Sequence, residues 1–120
     1  MVLVLEDEAV LQMEMELELS LRRGFDVVCV FSSEDAASEL DNDGISVACI
    51  DIMLCGEPLG LRVARLCQER DLPYLFVSGS TDPMTLEEVD RLSPVAFVKK
   101  PVDYDRLASL LRQHGGVTAA

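Results

Sequence analysis

Three carboxylates, a hydroxyl and an ammonium stand at the ends of apolar runs. Val2 to Leu5 gives way to Glu6 and Asp7, and Ile45 to Ile50 gives way to Asp51. The stretch "PYLFVSGS" leaves its apolar part at Ser78, and "PVAFVKKP" ends in Lys100 and Pro101. Carboxylates avoid apolar surroundings unless they are paired or coordinated. Three of them together repel one another and hold protons, and a hard divalent cation resolves that conflict. Mg²⁺ prefers octahedral oxygen ligation and keeps several waters, so two carboxylates, a carbonyl and waters suit it. Such a metal bridges and neutralises a phosphoryl group, and Asp is a nucleophile in aspartyl-phosphate chemistry. Lys100 would add a second positive charge and Ser78 a hydrogen bond to the phosphoryl oxygens.

Each of these features has a plain structural reading when taken singly. "EDE" dresses a helix N-terminus against the macrodipole, a Ser-Gly pair makes a turn, and "KKP" is a solvated strand end. Asp51 differs, because an apolar strand gives it no surface role. The chemistry depends on whether separate segments bring these residues to one place.

The elements decide that. Val2 to Leu5, "FDVVCVF", "ISVACID", "PYLFVSGS" and "PVAFVKKP" read as five short strands. Between them lie helical stretches. The first is ambiguous, since "MEMELEL" alternates strictly from Met13 to Leu19 as a strand would. Met, Glu and Leu are nevertheless strong helix formers, and Val10, Met13, Leu17 and Leu21 fall at helical spacing. A helix over about 8 to 23, ended by Gly24, follows. Serines cap the second helix and "DNDG" stops it. Pro58 suits a first helical turn, and Leu59, Val63 and Leu66 mark a third helix running to about Arg70. Thr or Asp before Pro83 opens the fourth. "DYDRLASLLRQH" is the fifth, with Leu107, Leu110 and Leu111 on one face, and "GGVTAA", about 115–120, reads as a frayed tail. Strict alternation of strand and helix specifies an α/β fold, a doubly wound parallel sheet of order 2-1-3-4-5. Its ligand crevice lies beyond the carboxyl ends of the strands, at the switch point between strands 1 and 3. Glu6, Asp7, Asp51, Ser78 and Lys100 all fall at that edge.

Composition narrows the function classes. A hydrophobic share of 49% supports a packed core in one domain over residues 1–120. With 22 acids against 10 bases the net charge is -12, which repels phosphate backbones and argues against nucleic-acid binding. No apolar run approaches a membrane span and no leader is evident, so a cytoplasmic location is expected. The four cysteines include no C-x-x-C and the chain has one histidine, which disfavours zinc. Cys29, Cys49 and Cys67 read as core residues, and Cys55 as a passive loop thiol.

Over residues 2 to 113 the sequence resembles the receiver domain of two-component response regulators. The marks are "LEDE", "IDIML", "FVSGS" and "FVKKP", specific as a set and not singly. The resemblance implies a flavodoxin-like receiver fold with Asp51 as phosphoacceptor. It implies Mg²⁺ bound by Asp7 and Asp51, by Glu6 through water, and by the backbone carbonyl of Met53. It places Ser78 as the switch hydroxyl, Lys100 on the phosphoryl oxygens and Pro101 shaping the Lys100 loop. The N–H groups of Met53 and Gly79 complete the cradle, and Phe97 occupies the switch aromatic position. A histidine kinase or histidine phosphotransferase is the implied donor. A downstream protein then meets the face made by the fourth helix, fifth strand and fifth helix, and a second copy of the chain is a further implied partner. The implied activity is that of a signalling module, limited to its own phosphorylation and dephosphorylation. No effector domain follows the fifth helix within these residues, so the chain reads as a stand-alone regulator or as part of a longer protein.

The departures lie after Asp51. Cys55 stands where the family often has Pro, and Gly60 comes one residue late, so this loop is longer by one. "LCGEP" resembles an L-x-G-E-P subset, many of them stand-alone or attached to sensor kinases. Met53 replaces the Asn common there and puts an apolar side chain at the pocket mouth. Phe97 lacks the hydroxyl of Tyr. Three other readings compete. A degenerate receiver would bind partners without phosphorylation, but the acidic, hydroxyl and Lys marks are all retained. An Asp-nucleophile phosphatase needs a second Asp where Met53 stands. A flavin-binding protein needs a phosphate loop where "EDEAV" repels phosphate.

Overall fold

The computed structural model describes residues 1–79 and 82–115. Ser80 of "FVSGS" and residues 116–120 of the expected tail lie outside them. The strands are β1 (Val2–Leu5), β2 (Val27–Val30), β3 (Val47–Ile50), β4 (Tyr74–Ser78) and β5 (Phe97–Lys99). The helices are α1 (Ala9–Glu16), α2 (Ser33–Leu40), α3 (Gly60–Glu69), α4 (Pro83–Leu92) and α5 (Tyr104–Gln113). All strand pairs are parallel, in the expected order β2-β1-β3-β4-β5.

Period-two alternation along the strands builds two cores. Leu3, Leu5, Ala48, Ile50 and Phe76 face α2, α3 and α4, where they meet Ala36, Leu40, Val63, Ala64 and Val89. Val2, Val4, Val47, Cys49, Leu75 and Val98 face α1 and α5, against Met15, Leu19, Leu107 and Leu111. β1 and β3 are buried throughout, as strands covered on both faces must be. Burial pushes the Cys49 and Cys67 thiols up to about 12, and burial followed by the charge of Glu16 pushes Cys29 up to about 11. These cysteines pack as weak hydrophobes, with Cys29 half-buried, while Cys55 is exposed.

The helix starts follow their capping residues. Ser32 accepts from the Asp35 N–H at 3.1 Å, Asp82 accepts from the Thr85 N–H at 3.1 Å with Pro83 next, and Asp103 accepts from the N–H groups of Asp105 and Arg106. Pro58 does not sit in a first helical turn. Helix α3 starts at Gly60 with Leu59 as its N-cap, and Pro58 belongs to the exposed loop before it.

The first helix departs more. After Glu16 it widens into a π-helical segment, Leu17–Leu21, in which the Arg22 N–H donates to the Leu17 carbonyl at 3.0 Å. Gly24, at φ 74°, then ends it as expected. The residues at helical spacing that the sequence brings forward are not the buried ones. Val10, Met13, Leu17 and Leu21 are 73%, 70%, 42% and 78% exposed, whereas Gln12, Met15 and Leu19 face the sheet. Alternating apolar residues on a helix make two apolar stripes, and the sheet takes the one that reaches Phe25 and β1.

Candidate functional site

Strand register brings the acids together. Leu5 pairs with Val30 on one side and Ile50 on the other, so Glu6 and Asp51 leave the sheet side by side. The Glu6 N–H donates to the Val30 carbonyl at 3.1 Å, and the Asp51 N–H donates to the Leu5 carbonyl at 3.0 Å. Across the sheet, Ser78 ends β4 beside Lys99, and the Lys100 N–H donates to the Ser78 carbonyl at 3.1 Å. Glu6, Asp51 and Ser78 are buried, Asp7 and Lys100 half-buried.

Lys100 closes the cluster electrostatically. Its Nζ donates to Glu6 Oε1 at 2.6 Å and to Asp51 Oδ2 at 3.1 Å. Burial pulls the ammonium down, but the Glu6 hydrogen bond and the charges of Asp51 and Glu6 outweigh it, and the Lys100 pKa is raised. Burial, then repulsion from Glu6, pushes the Asp51 carboxyl up to about 6 against the opposing pull of Lys100. Asp51 is therefore held in an environment that disfavours its charge.

One carboxylate oxygen from each of Glu6, Asp7 and Asp51 lies within 4.8 Å of the other two. Three hard oxygen donors at that spacing, one of them half-exposed, fit a divalent cation such as Mg²⁺. Two backbone donors hold the acids in place. The Glu8 N–H reaches Glu6 Oε2 at 3.1 Å, and the Cys55 N–H reaches Asp7 Oδ2 at 2.8 Å.

The remaining expected residues surround this cluster. A β-carbon on Gly79 would lie 4.0 Å from Lys100 Cβ, so Gly79 backs the lysine stem. The Lys100–Pro101 peptide bond is cis. Met53 and Phe97 are half-buried and pack against the core beneath α2, α3 and α4. Sequence reasoning missed Gln12, whose Nε2 donates to the Glu6 carbonyl at 3.2 Å and the Val30 carbonyl at 2.9 Å. This buried amide ties the end of β1 to β2 just below the acids. Its signal was legible, a lone amide four residues before Glu16 and in line with Met15 and Leu19. The Cys55 contact had none, because it is made by the backbone.

Known proteins share the family and the fold. The sequence matches the response regulator receiver domain family over residues 2–112. The signal receiver domain of a modulated diguanylate cyclase from Desulfovibrio desulfuricans G20 is 31% identical, with 94% of this chain and 90% of that chain covered and a TM-score of 0.84. A response regulator receiver protein from Pseudomonas putida is 32% identical, with 93% and 94% covered and a TM-score of 0.83. The receiver domain of NtrX from Brucella abortus shares the fold at 24% identity and a TM-score of 0.81, with 95% and 97% covered. The comparison with curated proteins gave no match.

Proposed function

The chain belongs to the response regulator receiver domain family, and from that premise we propose that it is a phosphorylation-driven switch with Asp51 as the phosphoacceptor. The observation that carries this reading is the meeting of Glu6, Asp7, Asp51 and Lys100 at the carboxyl edge of the sheet. A histidine kinase or histidine phosphotransferase supplies the phosphoryl group as phosphohistidine. An Asp51 carboxylate oxygen attacks phosphorus in line, the O–P bond forms, and the P–N bond breaks with the electron pair leaving on imidazole. Burial keeps the nucleophile poorly solvated, and the Lys100 ammonium beside it favours its charged form.

When bound, Mg²⁺ would be held by Asp7, Asp51 and the Met53 carbonyl, with Glu6 helping through water, and would supply charge neutralisation for the phosphoryl oxygens. Lys100 contributes the second positive charge, Ser78 a hydroxyl, and the N–H groups of Met53 and Gly79 the rest of the cradle. Phosphorylation brings close to two negative charges to the edge. Ser78 and Phe97 carry that change to the face of α4, β5 and α5, which shifts its affinity for a protein partner. The exposed stripe Val10, Met13, Leu17 and Leu21 begins three residues after Asp7 and carries exposed Glu14 and Glu16. It suits docking of a phosphodonor helix with an apolar ridge and basic flanks.

Incubation with Mg²⁺ and a small acyl phosphate tests the reading by intact mass. One added phosphoryl group in the wild type and none in Asp51→Asn is expected. No gain in the wild type, with Mg²⁺ binding also absent by calorimetry, overturns it in favour of a phosphorylation-independent interaction module.

A further inference from the structure

We infer that the turn Leu54–Glu57 is a backbone clamp that sets the orientation of the Asp7 carboxylate for cation binding. This rests on the reading of the acidic edge as a Mg²⁺ site. The turn is closed by reciprocal hydrogen bonds, Leu54 N–H to the Glu57 carbonyl at 2.8 Å and Glu57 N–H to the Leu54 carbonyl at 3.0 Å. Its two central residues are both left-handed, Cys55 at φ 53° and Gly56 at φ 77°, the conformation of a type I′ turn. Those reciprocal bonds use the outer backbone groups and leave the Cys55 N–H to donate outward. It is the group that meets Asp7 Oδ2 at 2.8 Å.

The clamp is anchored at both ends. Leu54 is 1% exposed and plugs into the core. The Gly60 N–H donates to the Ile52 carbonyl at 2.9 Å, which closes the base of the loop directly behind Asp51. The position of the Cys55 N–H is thus fixed by the same segment that fixes Asp51. Asp7 itself is half-exposed and belongs to no strand or helix, so among the described residues the Cys55 N–H is the contact that orients its carboxylate. An amide on Oδ2 selects the rotamer without engaging Oδ1. Loss of a partner that orients a ligand in this way typically lowers metal affinity by about 10–100-fold. The longer loop after Asp51 places a backbone donor over the acid pair, and it does so without the Cys55 side chain.

Gly56 gives a clean test, because a β-carbon there meets nothing within 4 Å and a substitution acts through φ alone. Gly56→Val disfavours the left-handed turn, and Gly56→Asn tolerates it. By isothermal calorimetry, Gly56→Val should bind Mg²⁺ about tenfold more weakly than the wild type. Gly56→Asn and Cys55→Ala should bind nearly as the wild type does. On an Asp7→Ala background, Gly56→Val should add no further loss. Should Gly56→Val fail to fold, Gly56→Ala gives the same comparison with a smaller conformational penalty. Wild-type affinity in a folded Gly56→Val or Gly56→Ala protein overturns the clamp and leaves the Mg²⁺ site standing. Equal losses in Cys55→Ala and Gly56→Val overturn it in favour of the side chain. No Mg²⁺ binding by the wild type removes the clamp together with the site.

Discussion

Gly60 lies so close to Asp51 that a β-carbon on it would sit 2.0 Å from the Asp51 carbonyl oxygen and 2.8 Å from the Ile52 Cα. Both neighbours are backbone, so neither can swing aside as a side chain would. Helix propensity favours Ala over Gly by about 1 kcal/mol in a helix interior. The clash outweighs that gain. Gly60→Ala should destabilise the protein by about 2–3 kcal/mol in urea denaturation. It should also slow phosphorylation by acyl phosphate, because relief of the clash moves Asp51. Unchanged stability in Gly60→Ala would show that α3 can retreat without disturbing the site.

Lys100 bridges two buried carboxylates that face and repel each other. Its Nζ donates to both Glu6 and Asp51, and it opposes the burial and repulsion that lift Asp51 to about 6. Lys100→Ala should therefore move the Asp51 titration further upward, read from its side-chain carboxyl carbon by NMR. A midpoint that stays in place would mean that water replaces the ammonium fully. Replacement by Met keeps most of the stem against Gly79 and separates lost charge from lost packing.

Asp51 also ties stability to pH. Its carboxyl titrates near 6 in the fold and near 3.8 as a free side chain. Between those values the folded protein binds more protons than the unfolded chain, so this contribution is full below about pH 4 and is lost as pH rises through about 6. Without added metal, Asp51→Asn should be more stable than the wild type by about 1–2 kcal/mol at pH 7.5. The difference should shrink toward pH 4. Added Mg²⁺ should stabilise the wild type and not the variant. Melting curves in chelator and in Mg²⁺ across this range check both statements, and a flat difference across pH would exclude Asp51 as the group responsible.

Gln12 predicts a different kind of loss. Its amide satisfies the carbonyls of Glu6 and Val30 in a buried position. Gln12→Ala leaves both without this donor and should cost about 1–3 kcal/mol in denaturant titration. Gln12→Leu refills most of the volume but not the hydrogen bonds. Should Leu restore full stability, packing and not the amide is what the helix contributes there.

The sheet order and the edge that collects Glu6, Asp7, Asp51, Ser78 and Lys100 were legible in the sequence for one reason. Short apolar runs alternating with helical stretches admit few topologies, and each run stopped at a polar residue. Helix starts were legible where side chains do the capping, at Ser32, Asp82 and Asp103. Pro58 misled because its fixed φ suits the turn before α3 as well as a first helical turn. The Cys55 contact with Asp7 and the close approach of Gly60 to Asp51 were hidden, since backbone groups make them and side-chain patterns do not encode backbone positions.

The first helix is where pattern and fold disagree, and it yields the sharpest contrast. Met13 and Leu17 lie on its exposed stripe, while Met15 and Leu19, two residues further on in each case, are 2% and 0% exposed. A helix turns by roughly 200° over two residues, which puts the two sets on opposing sides. Met15→Ala and Leu19→Ala should each cost about 2–5 kcal/mol, since each leaves a cavity between α1 and the sheet. Met13→Gln and Leu17→Gln should change stability by less than about 0.5 kcal/mol, and phosphorylation by acyl phosphate should be unaffected. Urea titration of the four variants separates the faces. Large losses at Met13 and Leu17 with small ones at Met15 and Leu19 would mean that the helix is rotated by half a turn, with the outer stripe buried after all.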